Sequence, residues 1–371
     1  MFCKTEKVGL MSTAEISGLH EFDAELEAAN LRGQWIYDEM LESVVGGPKP
    51  AGVPFLWRWQ DVHAKLLKSC DVMPESLTAR RNLSFINPDA RGTTHTINMG
   101  MQMLKPGEIA YAHRHTMAAL RFAIQGGPGL VTVVDGEPCQ MDTYDLVLTP
   151  RWTWHDHENA TSENVVWLDV LDIGLVLGLN VPFYEPYGEK RQPQREDPGE
   201  HLADRGGMLR PAWEQVKAAN FPYRYPWRDV ERQLQRMAGL AGSPYDGVVL
   251  RYANPVTGGS TMPTLDCWVQ LLRPGQQTEA HRHTSSAVYF VVRGEGTTVV
   301  DGVELDWGPH DSFVVPNWST HHFVNRSAEN ALLFSVNDIP TLKALDLYYE
   351  EPELSLGTQP FPPVPANLRA R

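Results

Sequence analysis

Short apolar runs, rich in β-branched and aromatic side chains and closed by Gly, Pro or Asp-Gly, recur through the middle of the chain at 119–125, 129–134, 146–149, 287–292, 297–300 and 313–315. Runs of this length with such punctuation predict short antiparallel strands, and the Asp-Gly pairs at 135–136 and 301–302 predict hairpin turns. Outside these stretches the period changes. Residues 14–45 place Leu19, Phe22, Leu26, Ala29, Leu31 and Trp35 at helical spacing with acidic residues between them, and the pattern stops at Gly46-Gly47-Pro48. Further helices are predicted over 60–70 and 229–238.

The strand-rich segments are two copies of one pattern. Lys105-Pro106-Gly107, His113-Arg114-His115 and Gly126 recur as Arg273-Pro274-Gly275, His281-Arg282-His283 and Gly294, displaced by 168 residues. Val133-Val134-Asp135-Gly136, Asp145, Pro150, His155 and Asn159 recur as Val299-Val300-Asp301-Gly302, Asp311, Pro316, His321 and Asn325, displaced by 166. Two residues gained beside one hairpin loop account for the difference. Weaker matches (Asn87-Pro88 with Asn254-Pro255, Asp172-Ile173 with Asp338-Ile339) extend the unit to about 80–90 residues. The expected organisation is a helical arm over 1–75, a first β domain over 76–185, a linker with a helix over 186–245, a second β domain over 246–347 and an extended tail over 348–371.

Composition narrows the function. With 32 Lys plus Arg against 46 Asp plus Glu, the formal charge of −14 opposes nucleic acid and anionic lipid. Four scattered cysteines without a CxxC spacing are expected to be reduced thiols, and no run is apolar enough for a secretory signal or a membrane span, so a cytoplasmic protein is expected. The 13 histidines are the informative excess. Alternation along a strand sends both imidazoles of a His-x-His to one face, and a third histidine about 40 residues later can close beside them. His113, His115 and His155 then form one candidate metal set; His281, His283 and His321 form a second.

These paired motifs resemble those of the cupin superfamily, and two copies imply a bicupin: an all-β core of two double-stranded β-barrel (jelly-roll) domains with N-terminal and inter-domain helices. The stretches from His113 to Phe122, from Pro150 to His157 and from Trp167 to Ile173 resemble the gentisate 1,2-dioxygenase family, which includes salicylate, 5-nitrosalicylate and 1-hydroxy-2-naphthoate ring-cleaving enzymes. The likeness runs over about 53–347. The glutamate that many cupins carry four or five residues after the second histidine is absent: Ala119 and Leu120 stand there, and Ala287 and Val288 in the second unit.

The resemblance implies Fe(II) in the first domain, a small aromatic acid and O2 as substrates, cleavage of the C1–C2 bond of gentisate or a 5-substituted salicylate, and a homotetramer. Arg121, at an even offset from His115, and His157, two residues after His155, are expected to face the same interior as catalytic groups. The resemblance also brings Arg80, Gln102 and Asp169 toward the substrate, with Arg81 competing for the place of Arg80. Met99, Met101 and Met103 read either as adaptable pocket lining or as plain core. In the second unit Tyr289 replaces Arg121, so it is expected to be metal-competent but not catalytic. A non-oxidative bicupin, either a sugar isomerase or an aromatic-acid sensor, remains the alternative.

Overall fold

The structure is a computed structural model that describes residues 13–73, 81–195 and 223–352. Residues 13–49 form a unit of their own, with the helix Thr13–Ala28, a 3-10 turn Gln34–Tyr37 and the short helix Asp38–Ser43. The helical period expected over 14–45 is therefore broken after Ala28, where Asn30 takes a positive φ of 56°.

From residue 50 onward the chain builds two β-barrels, each from a six-stranded and a five-stranded antiparallel sheet. In the first barrel the larger sheet runs Tyr223–Tyr225, Leu146–Thr149, Ala119–Gln125, Val165–Leu171, Asn98–Leu104, Arg81–Ser84. Its smaller sheet runs Tyr184–Pro186, Ile109–His115, His155–Asn159, Leu130–Val134, Glu137–Gln140. The second barrel repeats both orders, with Phe55–Trp57 and Glu350–Pro352 at the places of Tyr223–Tyr225 and Tyr184–Pro186. Both Asp-Gly pairs form tight hairpins with positive φ at each residue, 47° and 79° at Asp135-Gly136, 47° and 81° at Asp301-Gly302. That is the type I′ geometry whose twist matches the strands it joins.

The larger sheets are buried on both faces, which is why their strands read as continuous apolar runs. One face lines each barrel. The opposite faces meet: Met99, Met101, Met103, Leu120 and Phe122 belong to one core with Val288, Phe290, Val292 and Phe334 of the second barrel, and Phe122 stacks on Phe334 at 4.1 Å. The three methionines thus point away from the first barrel's interior into the joint between barrels, and the core reading of these residues is the observed one.

The two arms exchange barrels. Strand Phe55–Trp57 precedes the first barrel in sequence but pairs with Ser312–Val315 of the second, and Tyr223–Tyr225 precedes the second but pairs with Leu146–Thr149 of the first. Each crossing ends in a helix that returns to its own barrel: Trp59–Val72 packs on Arg81–Ser84 and Asn98–Leu104, and Trp227–Met237 packs on Val248–Arg251. Equivalent aspartates receive the two helix starts. Asp311 accepts from the Trp59 N–H (2.8 Å) and Arg58 Nη1 (2.9 Å), and Asp145 accepts from the Trp227 N–H (2.7 Å) and Arg224 Nε (2.8 Å). The sequence carries this symmetry as Trp59-x-Asp61-Val62 and Trp227-x-Asp229-Val230, at the same displacement of 168. The duplicated unit therefore starts at Trp59 or before rather than at Asn87-Pro88, and the helical arm and the linker each contain one strand of the opposite barrel.

Among the described residues no helix is long and apolar enough to cross a membrane. Asp145 faces an Arg224 that is 15% exposed, whereas Asp311 faces an Arg58 that is 51% exposed. Breaking a buried ion pair costs about 3–5 kcal/mol and an exposed one about 0–1 kcal/mol. Asp145→Ala is accordingly expected to lower the melting temperature more than Asp311→Ala, measured side by side by calorimetry.

Candidate metal centre and active site

Strand pairing sets the first triad. His113 lies opposite His155, but the register between Ile109–His115 and His155–Asn159 slips between Ala110 and His113. This irregularity lets Ala110, opposite His157, and His113 share the inner face although their numbers differ by three. Bulges of this kind re-aim side chains near sites. His113, His115 and His155 are buried, and their candidate ligand atoms all lie within 4.8 Å of one another.

Each imidazole has its tautomer fixed by the backbone. Nδ1 of His113 donates to the Tyr111 carbonyl (2.7 Å), that of His115 to Met117 (2.9 Å) and that of His155 to Thr153 (3.0 Å). A carbonyl only accepts, so Nδ1 carries the proton and Nε2 keeps its lone pair for a ligand role. Burial, then the neighbouring His113, His115 and Arg121, hold His155 well below the ordinary histidine value, which keeps it in the neutral, ligating form. Its Nε2 is buried with no hydrogen-bond partner among the described residues. The group fits a divalent ion: three neutral nitrogens on one face, and no carboxylate of the histidine-glutamate type.

A buried polar wall faces the triad. Arg121, 2% exposed, is ion-paired through Nε with Asp169 Oδ1 at 2.6 Å, and its Nη1 donates to Thr149 Oγ1 at 2.6 Å. Asp169 Oδ2 accepts from Asn82 Nδ2 at 2.7 Å. The register explains the grouping, because Arg121 and Gly100 flank Asp169, while Asn82 and Trp167 flank Gln102. Burial draws the Arg121 guanidinium down from its ordinary value and the Asp169 charge opposes that pull. One layer along the barrel stand His157, Gln102 and Trp167. His157 Nδ1 lies 2.8 Å from Thr132 Oγ1, and its ring is 5.2 Å from that of Trp167. Gln102 Nε2 and Trp167 Nε1 are buried donors with no hydrogen-bond partner among the described residues, a costly state that a polar ligand relieves.

The second barrel keeps the triad and loses the wall. His281, His283 and His321 converge equally closely, and His283 is pushed down to about 4 by burial and by His281. At the positions of Arg121, Val147, His157, Trp167 and Asp169, however, stand Tyr289, Phe313, Phe323, Leu333 and Ser335. Tyr289 stacks on Phe313 at 4.8 Å and meets Phe323 at 5.4 Å, so rings fill the space.

Of the residues expected from sequence, His113, His115, His155, Arg121, His157, Gln102 and Asp169 come together in the first barrel. Arg80 lies outside the described residues. Its rival Arg81 faces the other way, in register with Met103, and forks onto Glu108 at 2.5 and 2.8 Å. Asn82, Thr132, Thr149 and Trp167 were missed as supporting groups. Alternation from Arg81 and Arg121 would have placed Asn82 and Thr149 had the strand partners been known.

Two duplicated barrels with a three-histidine centre in each define a bicupin. The cupin domain family matches residues 100–171 and 268–337. The chain is 46% identical to the 1-hydroxy-2-naphthoate 1,2-dioxygenase of Nocardioides sp. strain KP7, covering 96% of this chain and 94% of that protein. It is 42% identical to the 5-aminosalicylate 1,2-dioxygenase of Comamonas sp., covering 91% and 90%. The salicylate 1,2-dioxygenase of Pseudoaminobacter salicylatoxidans, solved with gentisate, superposes with a TM-score of 0.80 at 30% identity, over 94% of this chain and 96% of that one. The chain belongs to this family of ring-cleaving aromatic 1,2-dioxygenases, relatives of gentisate 1,2-dioxygenase.

Asp169→Asn leaves the buried charge of Arg121 without its counterion and is expected to destabilise the protein by about 3–5 kcal/mol, read by denaturant melts. Thr149→Val removes one hydrogen bond to a charged group, worth about 1.5–3 kcal/mol. It is expected to lower kcat/KM while the metal content stays unchanged.

Proposed function

We propose that the first barrel holds Fe(II) on His113, His115 and His155 and opens the ring of gentisate or a related 5-substituted salicylate at the C1–C2 bond, with both atoms of O2 entering the product. The observation that carries this reading is the histidine triad facing the buried Arg121–Asp169 pair, an arrangement the second barrel lacks. When bound, the ion supplies open positions and positive charge for a chelating acid and for O2. The chain supplies the rest.

Arg121 presents a rigid, permanently charged fork to the carboxylate, and Asp169 and Thr149 stop it from swinging away. Gln102 and Trp167 offer their buried N–H groups to oxygen substituents on the ring. His157, backed by Thr132 at Nδ1, holds or moves a proton at Nε2. Arg80, which family likeness brings toward the substrate, is proposed to add a second cation toward the acid. In a chain of net charge −14 these local cations draw in an anionic substrate against the overall field. Family likeness also supports a homotetramer, and the scattered cysteines without a CxxC spacing support a cytoplasmic setting. The 46% identity to a naphthoate-cleaving enzyme favours a fused-ring version of the same acid as the second substrate candidate.

Protein loaded anaerobically with Fe(II) is expected to consume oxygen with at least one of gentisate, salicylate, 5-aminosalicylate, 5-nitrosalicylate and 1-hydroxy-2-naphthoate, and Zn(II)-loaded protein with none. Absence of uptake with every acid at full iron loading would overturn the proposal. His115→Ala is expected to abolish turnover. Arg121→Lys keeps the charge but loses the fork, and a loss of about 1.5–3 kcal/mol corresponds to a fall of about 10–160-fold in kcat/KM, measured on the best substrate.

A further inference from the structure

We propose that His281, His283 and His321 hold a second, non-catalytic metal ion, and that Glu350, on the last strand of the second barrel, is the positioning residue that orients His281 toward it. This inference stands on the second barrel alone and is independent of the substrate reading for the first.

The ring nitrogens carry the argument. His321 Nδ1 donates to the Ser319 carbonyl at 3.0 Å, and His281 Nδ1 donates to Glu350 Oε1 at 3.0 Å. Both acceptors lack a proton to give, so in the neutral rings each Nε2 is a lone pair. Yet these two Nε2 atoms lie only 3.1 Å apart. Two lone pairs at that distance repel unless something positive lies within reach of both. A proton shared between His281 and His321 would meet that need but leaves His283 without a role. His283 Nδ1 is held by Ser285, with its carbonyl 2.8 Å away, so its Nε2 completes a set whose ligand atoms lie within 4.8 Å. A cation accounts for all three rings.

The surroundings differ from the first site in the direction a permanent cation requires. Where Glu350 stands, the first barrel has Tyr184, which stacks on His113 at 5.4 Å, and His113 turns to a backbone carbonyl instead. Glu350 is itself held by Tyr348, whose hydroxyl donates to Oε2 at 2.7 Å. Carboxylate-backed histidines are the usual second layer of metal sites, because the carboxylate fixes the tautomer and raises ligand basicity. The half-buried Asp246 carboxyl, close to His281, adds a second acidic group on this side of the site. No arginine takes the place of Arg121, and Tyr289, Phe313 and Phe323 occupy the volume an aromatic acid would need. Such a site binds a cation and excludes the substrate. It also fastens strand Glu350–Pro352 to His281–His283, a pairing reinforced by Arg282 on Glu351 at 2.6 Å.

The test is a metal count on the full chain, using Co(II) as an optical probe and elemental analysis after Fe(II) loading. Wild type is expected to take two equivalents, and His115→Ala, which leaves the second barrel intact, one. Glu350→Gln is expected to weaken the equivalent that survives in the His115→Ala background by about 10–100-fold. One equivalent in wild type with none in His115→Ala would overturn the proposal and favour the shared proton. One equivalent retained by His115→Ala, in a protein whose wild type consumes no oxygen, would instead leave this site standing and overturn the dioxygenase reading.

Discussion

Three neutral imidazoles pointed at one another inside a closed barrel are the constraint on which the rest of the molecule depends. Each must shed its water, keep its proton on Nδ1 and present Nε2, and the fold arranges this with three backbone carbonyls and one strand irregularity. Closure of the barrel supplies the burial that keeps His155 neutral. The same closure makes Arg121 expensive, so the charge is offset by Asp169, which is in turn held by Asn82. The polar wall is thus a consequence of placing a cation inside a closed barrel.

Duplication freed one copy from the need for this polar wall. Both barrels retain the triad, but only the first has the buried Arg121–Asp169 pair proposed to receive an acid; the second has filled its interior with rings and taken a carboxylate behind one histidine. The two halves remain mechanically joined through their apolar outer faces and through the reciprocal exchange of Phe55–Trp57 and Tyr223–Tyr225. The filled barrel therefore still supports the first one, because its strands complete the core against which the sheet carrying Arg121 and Asp169 packs.

Much of this was legible in the chain. The histidine spacings, the Asp-Gly turns and the short apolar runs pointed to two barrels and to both triads, since period-two alternation converts spacing into facing. Arg121, His157, Gln102 and Asp169 followed from alternation together with family likeness. What was not legible depends on which strand lies next to which. Asn82 and Thr149 look like ordinary polar strand residues until Asp169 and Arg121 are seen beside them. The exchange of arms was hidden because its signature, Trp59-x-Asp61-Val62 against Trp227-x-Asp229-Val230, lies outside the segments that carry the chemistry. The direction of Met99, Met101 and Met103 was undecidable from sequence because both faces of that strand are buried.

The central claim is that the first barrel inserts both atoms of O2 into an aromatic acid. Single-turnover reaction of the iron-loaded protein with its best substrate under oxygen-18 gas, followed by mass spectrometry of the ring-opened product, tests it most directly. The account requires two labelled oxygen atoms in each product molecule. A ring-opened product carrying one labelled atom and one from water, or an unopened ring, would contradict it.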